Sequence, residues 1–378
     1  MKAPVAIRFA AEGFFCFYRR EMLMPKLIRS LVAILGLCLL SGCHKPAANT
    51  LFVDSEQVQK LPKDVQDGVR KYLLEQCGTP SHPKTFVETK VDPRRLELGR
   101  SLYIKQCAQC HGSSGDGAGP EAAFMYPRPR DYRKGIFKFI TTGYGSKPVR
   151  EDLVRTIKQG VMGTSMPSFH LLKDAEIQAL VDYVLALTHR GELEFQLASE
   201  HESEDKFDPD LAADSVKLIQ TRWVEAPGMV FLPLSPQPVF TAEDIVAGKA
   251  IFLDKEWGCS KCHGDDGRGQ TEENLGGKLV NQAWNTPTRA ADLTSGMLRG
   301  GQTPLAVYRR IFGGINGTPM PEFRRKLSEN PDAAWKLVAY VMHVSGRRRE
   351  HEIPPSGSIA PYVTTLSSTP AAAADQPE

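Results

Sequence analysis

The residues best equipped for chemistry stand in two short runs, Cys107-Ala108-Gln109-Cys110-His111 and Cys259-Ser260-Lys261-Cys262-His263. Each run places two thiols three positions apart and an imidazole next to the second. This is the arrangement by which haem is attached covalently: the thiols add to its two vinyl groups and the histidine ligates its iron. A thioredoxin-like exchange motif would stand once beside a βαβ pattern, which is not visible here. A zinc site would need two half-sites separated by an entire domain. Cys107, Cys110, Cys259 and Cys262 are therefore read as attaching two haems c, with His111 and His263 as iron ligands. An iron that only passes electrons wants a second axial ligand. Met166 and Met320 are the candidates, 55 and 57 residues beyond their histidines. Each sits in a Gly/Thr/Pro loop that lets a sulfur approach the metal, and His/Met ligation raises the reduction potential. His170 is the competitor to Met166, whereas Met162 and Met342 are assigned to core packing.

The elements that must position these residues occur twice. Gly99-Arg100-Ser101-Leu102-Tyr103 precedes the first motif and Gly248-Lys249-Ala250-Ile251-Phe252 the second. Glycine-rich runs follow, Gly112 to Gly117 and Gly264 to Gly269, and then Arg130-Asp131-Tyr132 and Ala291-Asp292-Leu293. Gly163-Thr164-Ser165-Met166-Pro167 matches Gly317-Thr318-Pro319-Met320-Pro321. Each unit closes on an aromatic-bearing helix, Leu180-Val181-Asp182-Tyr183-Val184 and Leu337-Val338-Ala339-Tyr340-Val341. The cysteines repeat after 152 residues and the methionines after 154, which is duplication of a whole domain rather than a solenoid. Ile177, Leu180, Val181, Val184 and Leu185 recur at helical spacing. A glycine inside the opening helix costs about 1 kcal/mol against alanine, so Gly99 and Gly248 need a packing reason. The rings of Tyr183 and Tyr340 crossing there would supply one.

Both units resemble class I c-type cytochrome domains: opening helix, CxxCH, glycine-rich loop, axial Met loop and aromatic-bearing closing helix. The resemblance covers about residues 93–190 and 240–348. It implies an all-α fold of two tandem class I cytochrome c domains joined by a long linker. It also implies a proline carbonyl accepting a hydrogen bond from each ligand histidine, with Pro120 or Pro127 in the first unit and Pro287 in the second. Arg128, Arg130 and Arg289 are candidates for holding haem propionates.

At the N-terminus, Lys26 and Arg29 precede an apolar run over 31–40 that ends in Leu40-Ser41-Gly42-Cys43. This reads as a secretory signal, too short to span a bilayer. Its end resembles a bacterial lipobox, making Cys43 the lipid-modified N-terminus that holds the protein on a membrane surface. The stretch before Met22 is unlike a signal, so Met22 or Met24 is a candidate start. The chain divides into a signal peptide with lipobox (1–42), a tether with a short helical element (43–92), a first cytochrome domain (93–192), a linker (193–239), a second domain (240–350) and a disordered tail (351–378). Helices are expected near 65–76 and within 211–233, with a solvated acidic run over 200–210. Cys77 is read as a buried small hydrophobe.

With hydrophobic residues at 41% and charged residues at 24% of 378, the composition excludes a disordered chain and a multi-spanning membrane protein. The formal charge is +3, and loss of 1–42 removes a net +4. The mature chain near −1 is not a nucleic-acid binder. The expected function is electron transfer through two His/Met haems, as a lipid-anchored relay on the periplasmic side of a bacterial membrane. It would belong to a respiratory chain, free or as a complex subunit, with a quinol-oxidising complex or terminal oxidase as partner. The alternative is a dihaem oxidoreductase, peroxidase-like or thiosulfate-oxidising. Against it, both units keep the Met loop, and Cys77 is the one spare thiol of the mature chain.

Overall fold

The computed structural model describes residues 52–87 and 91–346. The expected signal sequence, Cys43 and the tail over 351–378 lie outside them. In chain order the helices are α1 (Glu56–Lys60), α2 (Lys63–Cys77), α3 (Pro93–Gln106), α4 (Ala108–His111), α5 (Arg150–Gln159), α6 (Asp174–Glu200) and α7 (Pro209–Glu225). Then come α8 (Ala242–Leu253), α9 (Cys259–His263), α10 (Glu272–Leu275), α11 (Pro304–Phe312), α12 (Arg324–Glu329) and α13 (Pro331–Gly346). A two-stranded antiparallel hairpin, β1 (Val280–Asn281) and β2 (Thr286–Pro287), is a small addition to an otherwise all-α fold.

Local chemistry sets where the opening helices begin. Asp92 caps α3 by accepting from the Arg94 amide, with Pro93 in the first turn. Thr241 and Asp244 form a reciprocal capping box on α8. Each opening helix then crosses its closing helix at a glycine. A Cβ on Gly99 would lie 1.9 Å from the Ala179 carbonyl oxygen, and one on Gly248 1.9 Å from that of Lys336. The expectation that aromatic rings fill these crossings is corrected. Backbone meets backbone there, and the rings turn aside, Tyr183 onto Tyr103 at 5.2 Å and Tyr340 onto Phe252 at 5.0 Å.

A third core joins the two that the repeat predicts. Val58, Val65, Val69, Leu73 and Cys77 of α1 and α2 pack with Leu193 and Leu197 of α6 and with Ala212 and Ile219 of α7. The boundary drawn at residue 192 therefore falls inside α6, a helix of 27 residues. Its first half serves the first cytochrome-like unit. Its second half keeps an apolar face and buries it against α1, α2 and α7. The stretches read as tether and linker thus build this core together, each fully buried Leu or Ile contributing about 1.5–3 kcal/mol. Cys77 lies within it, 3% exposed, its thiol pushed up to about 12 by burial. The buried charges on α6 are paired: Asp182 with Arg95 and Arg150, Glu192 with Lys147, and Glu194 with Arg190.

The two repeats are also bonded to each other. Arg310 Nη2 donates to the Ile140 carbonyl at 2.6 Å, Lys138 Nζ to Asn281 Oδ1 at 3.0 Å, and Tyr144 Oη to the Thr318 carbonyl at 3.2 Å. The Phe231 amide, from the segment before the second repeat, donates to the Thr141 carbonyl at 3.2 Å. Among the described residues no helix is long and apolar enough to cross a membrane.

Candidate haem sites

Each CxxCH run forms a short helix, α4 with Cys107 at its N-cap or α9 from Cys259, that ends at a glycine beyond the histidine. His111 Nδ1 lies 3.1 Å from the carbonyl oxygen of Arg130, and His263 Nδ1 lies 3.1 Å from that of Ala291. A carbonyl can only accept, so Nδ1 carries the proton in both rings and Nε2 keeps a free lone pair. Burial holds both histidines below the usual imidazole range, in the neutral form a metal requires. The acceptors are not the prolines expected at 120, 127 or 287. Register explains the difference. The Tyr132 amide donates to the Gly115 carbonyl at 3.1 Å and the Leu293 amide to that of Gly267 at 2.8 Å. Pinning these amides to the glycine-rich loops turns the carbonyl two residues earlier toward each imidazole.

The methionine loops are built alike. The Val161 amide donates to the Met166 carbonyl and the Ile315 amide to the Met320 carbonyl, both at 3.2 Å. Thr164 Oγ1 and Thr318 Oγ1 each accept from the methionine amide at 3.2 Å. They donate back to Val161 and Ile315 at 2.7 and 2.8 Å. Pro167 and Pro321 then keep the methionine backbone extended and out of a helix. His170 is exposed and bonded to Ser168 Oγ at 2.9 Å, away from the cavity that Met166 lines. Met342 packs on the second core as expected, but Met162 is 48% exposed and is not a core residue.

Cys107, Cys110, His111 and Met166 line a cavity of about 590 Å³, and Cys259, Cys262, His263 and Met320 line the same cavity. No disulfide joins the four motif cysteines. Burial pushes Cys107 up to about 12 and Cys259 up to about 11, the reverse of what an exchange-active thiolate needs. No group of three or more His, Cys, Asp or Glu among the described residues is arranged to hold a metal ion alone.

Two family models match, in the same places as the repeats. Residues 94–184 match cytochrome c oxidase, cbb3-type, subunit III, and residues 245–345 match cytochrome c. Among solved structures, a chain of the reducing HAO-like protein complex of Kuenenia stuttgartiensis is 32% identical, with a TM-score of 0.50. The match covers 66% of this chain and 96% of that one. The chain belongs to the c-type cytochromes. No curated protein matches it. Two cytochrome c domains imply covalently bound haem c, one in each, and haem-based electron transfer.

The cavity of this cytochrome suits that cofactor. Its lining is chiefly apolar, but Arg128, Arg130, Lys138, Arg289, Arg299 and Arg310 also reach it, against a single carboxylate, Asp152. Asp152 is itself engaged by the Thr141 amide at 2.9 Å and by Arg155 Nη2 at 2.9 Å. The cations are under strain. Burial lowers Arg130 and Arg310 to about 10, and burial together with Arg130 and Arg299 lowers Lys138 to about 7. Arg310 Nε and Nη1 are buried with no hydrogen-bond partner. A desolvated excess of positive charge calls for anions, and the carboxylates of haem are such anions. Arg128, Arg130 and Arg289 were legible as candidates from sequence. Lys138, Arg299 and Arg310 were not, since only the packing of one domain on the other buries them together.

Proposed function

We propose that this cytochrome is an electron relay in which His111 with Met166, and His263 with Met320, are the axial pairs of two haems held in one chamber. The shared cavity carries the proposal: the attachment cysteines, histidines and methionines of both domains line it. Haem iron, when bound, supplies one-electron exchange between its ferrous and ferric forms. The chain's part is to hold and shield. The cysteines fix the cofactors, and the carbonyls of Arg130 and Ala291 orient the imidazoles. The threonine-stapled loops present the sulfurs, and the buried cations balance the propionates. A closed pair of ligands on each iron suits transfer without substrate turnover, because little needs to move on reduction.

The relay is proposed to sit on the periplasmic side of a bacterial membrane, anchored through Cys43, with a quinol-oxidising complex or terminal oxidase as partner. The match to a chain of an HAO-like complex supports a second form of this reading, a subunit that feeds or drains an oxidoreductase. Cys43→Ala is expected to release the protein from membranes, and unchanged retention would overturn the anchor.

The axial pairs are tested with carbon monoxide. The reduced native protein is expected to show low-spin bands, keep its haem through acid–acetone extraction and leave carbon monoxide unbound. Met166→Ala is expected to open one iron to carbon monoxide, and Met320→Ala the other. Carbon monoxide binding to both irons of the native protein would overturn the assignment.

A further inference from the structure

Trp284 lies in the loop between β1 and β2, in the second domain, but its polar end serves the first. Its Nε1–H donates to the Asp131 carbonyl at 2.8 Å, and the Arg130 guanidinium carbon lies 3.5 Å over its ring. Those residues form the segment whose Arg130 carbonyl accepts from His111. The peptide between Asp131 and Tyr132 is thereby held at both ends. Its N–H is bound to Gly115 in its own domain, and its carbonyl to Trp284 from the other. The second domain solves the same problem alone, for there Ser295 Oγ donates to the Asp292 carbonyl at 2.8 Å. The far edge of the indole rests on Gly317, where a Cβ would come within 2.7 Å of the ring, and Gly317 belongs to the Met320 loop.

We infer that Trp284 is a positioning residue for the first haem, set from the second domain: by holding the Asp131 carbonyl it fixes the adjacent peptide whose Arg130 oxygen orients His111, and it ties that segment to the Met320 loop. The inference rests on the axial ligands proposed above. A hydrogen bond from Nδ1–H makes a ligating imidazole a stronger donor to its metal. Loosening the Arg130 carbonyl weakens that bond, so the potential of the first haem rises. Trp284→Phe keeps a ring beneath Arg130 but removes the N–H together with the far edge of the indole that rests on Gly317.

The test is a redox titration of the full haem-loaded protein in a Met320→His background. Replacing Met by His lowers the step of the second haem and so labels it. Adding Trp284→Phe is expected to raise the other step and leave the labelled one in place. In proton NMR of the reduced protein, the His111 Nδ1–H signal is expected to move while that of His263 stays. Tyr144→Phe, which removes a different bond across the same interface, is expected to leave the first step unmoved. If Met320→His moves neither step, the axial reading fails. If it moves one step, but Trp284→Phe moves the other downward, not at all, or together with the labelled one, the axial reading stands and the coupling is overturned.

Discussion

Behind His111 stand three phenols; behind His263 stand Phe252, Leu293 and a single tyrosine, Tyr340. In the first domain Tyr132 Oη donates to Tyr103 Oη at 2.6 Å, and Tyr103 Oη to the Gly112 carbonyl at 2.7 Å. The second domain places Phe252 and Leu293 at the corresponding positions and has no such ladder. The loops in front of the two histidines nevertheless share the bonds that orient the imidazole, from the histidine Nδ1 to the carbonyl of Arg130 or Ala291 and from the Tyr132 or Leu293 amide to a loop glycine. The loops to which ligation is proposed are shared, while the filling behind them is polar in one domain and apolar in the other. What differs is how each domain is secured. The first borrows Trp284 from its neighbour and continues its closing helix into a third core. The second holds its Asp292 carbonyl with its own Ser295, and its closing helix is described over the 16 residues to Gly346.

The sharpest way to break this comparison is to exchange the residues at one matched position on the closing helices. Asp182 is buried in the first domain between Arg95 and Arg150, and its counterpart in the second is Ala339, 2% exposed. Ala339→Asp would bury a carboxylate with no partner provided for it, and is expected to cost about 4 kcal/mol. Asp182→Ala is expected to cost less, about 2 kcal/mol, because both arginines can turn toward water. Urea unfolding checks both. Equal costs would mean that the two crossings are not built as differently as the structure has them.

The extension of α6 gives a pH-dependent contrast that α13 lacks. His189 lies on it, 1% exposed, edge-on to Trp223 at 4.5 Å and with Nε2 unpartnered. Burial, aided by Lys147, lowers it to about 3. The folded pKa lies below the unfolded value of about 6.5, so the unfolded chain binds the extra proton between them. Stability is whole above that window and is lost as pH falls through it, at up to about 1.4 kcal/mol per pH unit. His189→Phe is expected to flatten the urea midpoint between about pH 4 and pH 6.5. A slope unchanged by the substitution would place the acid sensitivity elsewhere.

Much of this was legible in the sequence, and what was not has physical causes. The CxxCH runs and the paired Met loops could be read because their chemistry resides in side chains at fixed spacing. The acceptor carbonyls of Arg130 and Ala291 could not, because a backbone oxygen leaves no signature and the proline expectation pointed elsewhere. Gly99 and Gly248 were recognised as crossings, but the partner proved to be a carbonyl rather than a ring. Trp284, Lys138 and Arg310 have meaning only once the domains are packed together. The stretch over 193–239 looked like a linker because its acidic run hid the apolar face of α6 and α7. That face becomes visible only when α1 and α2 are laid against it.

The smallest expected effect tests the phenol ladder itself. Tyr132→Phe removes the hydroxyl that donates to Tyr103 and keeps the ring, which packs 5.2 Å from that of His111. Tyr103 Oη still donates to Gly112, so no buried donor is orphaned, and the cost is that of one neutral hydrogen bond, about 1 kcal/mol. Leu293 already occupies the matching place in the second domain, so the His111 loop is expected to survive and both haems to stay ligated. A loss of about 1 kcal/mol in urea unfolding with unchanged low-spin bands would make the ladder a matter of stability alone. A change in the bands would mean that the first domain, unlike the second, also needs its phenols to hold the histidine.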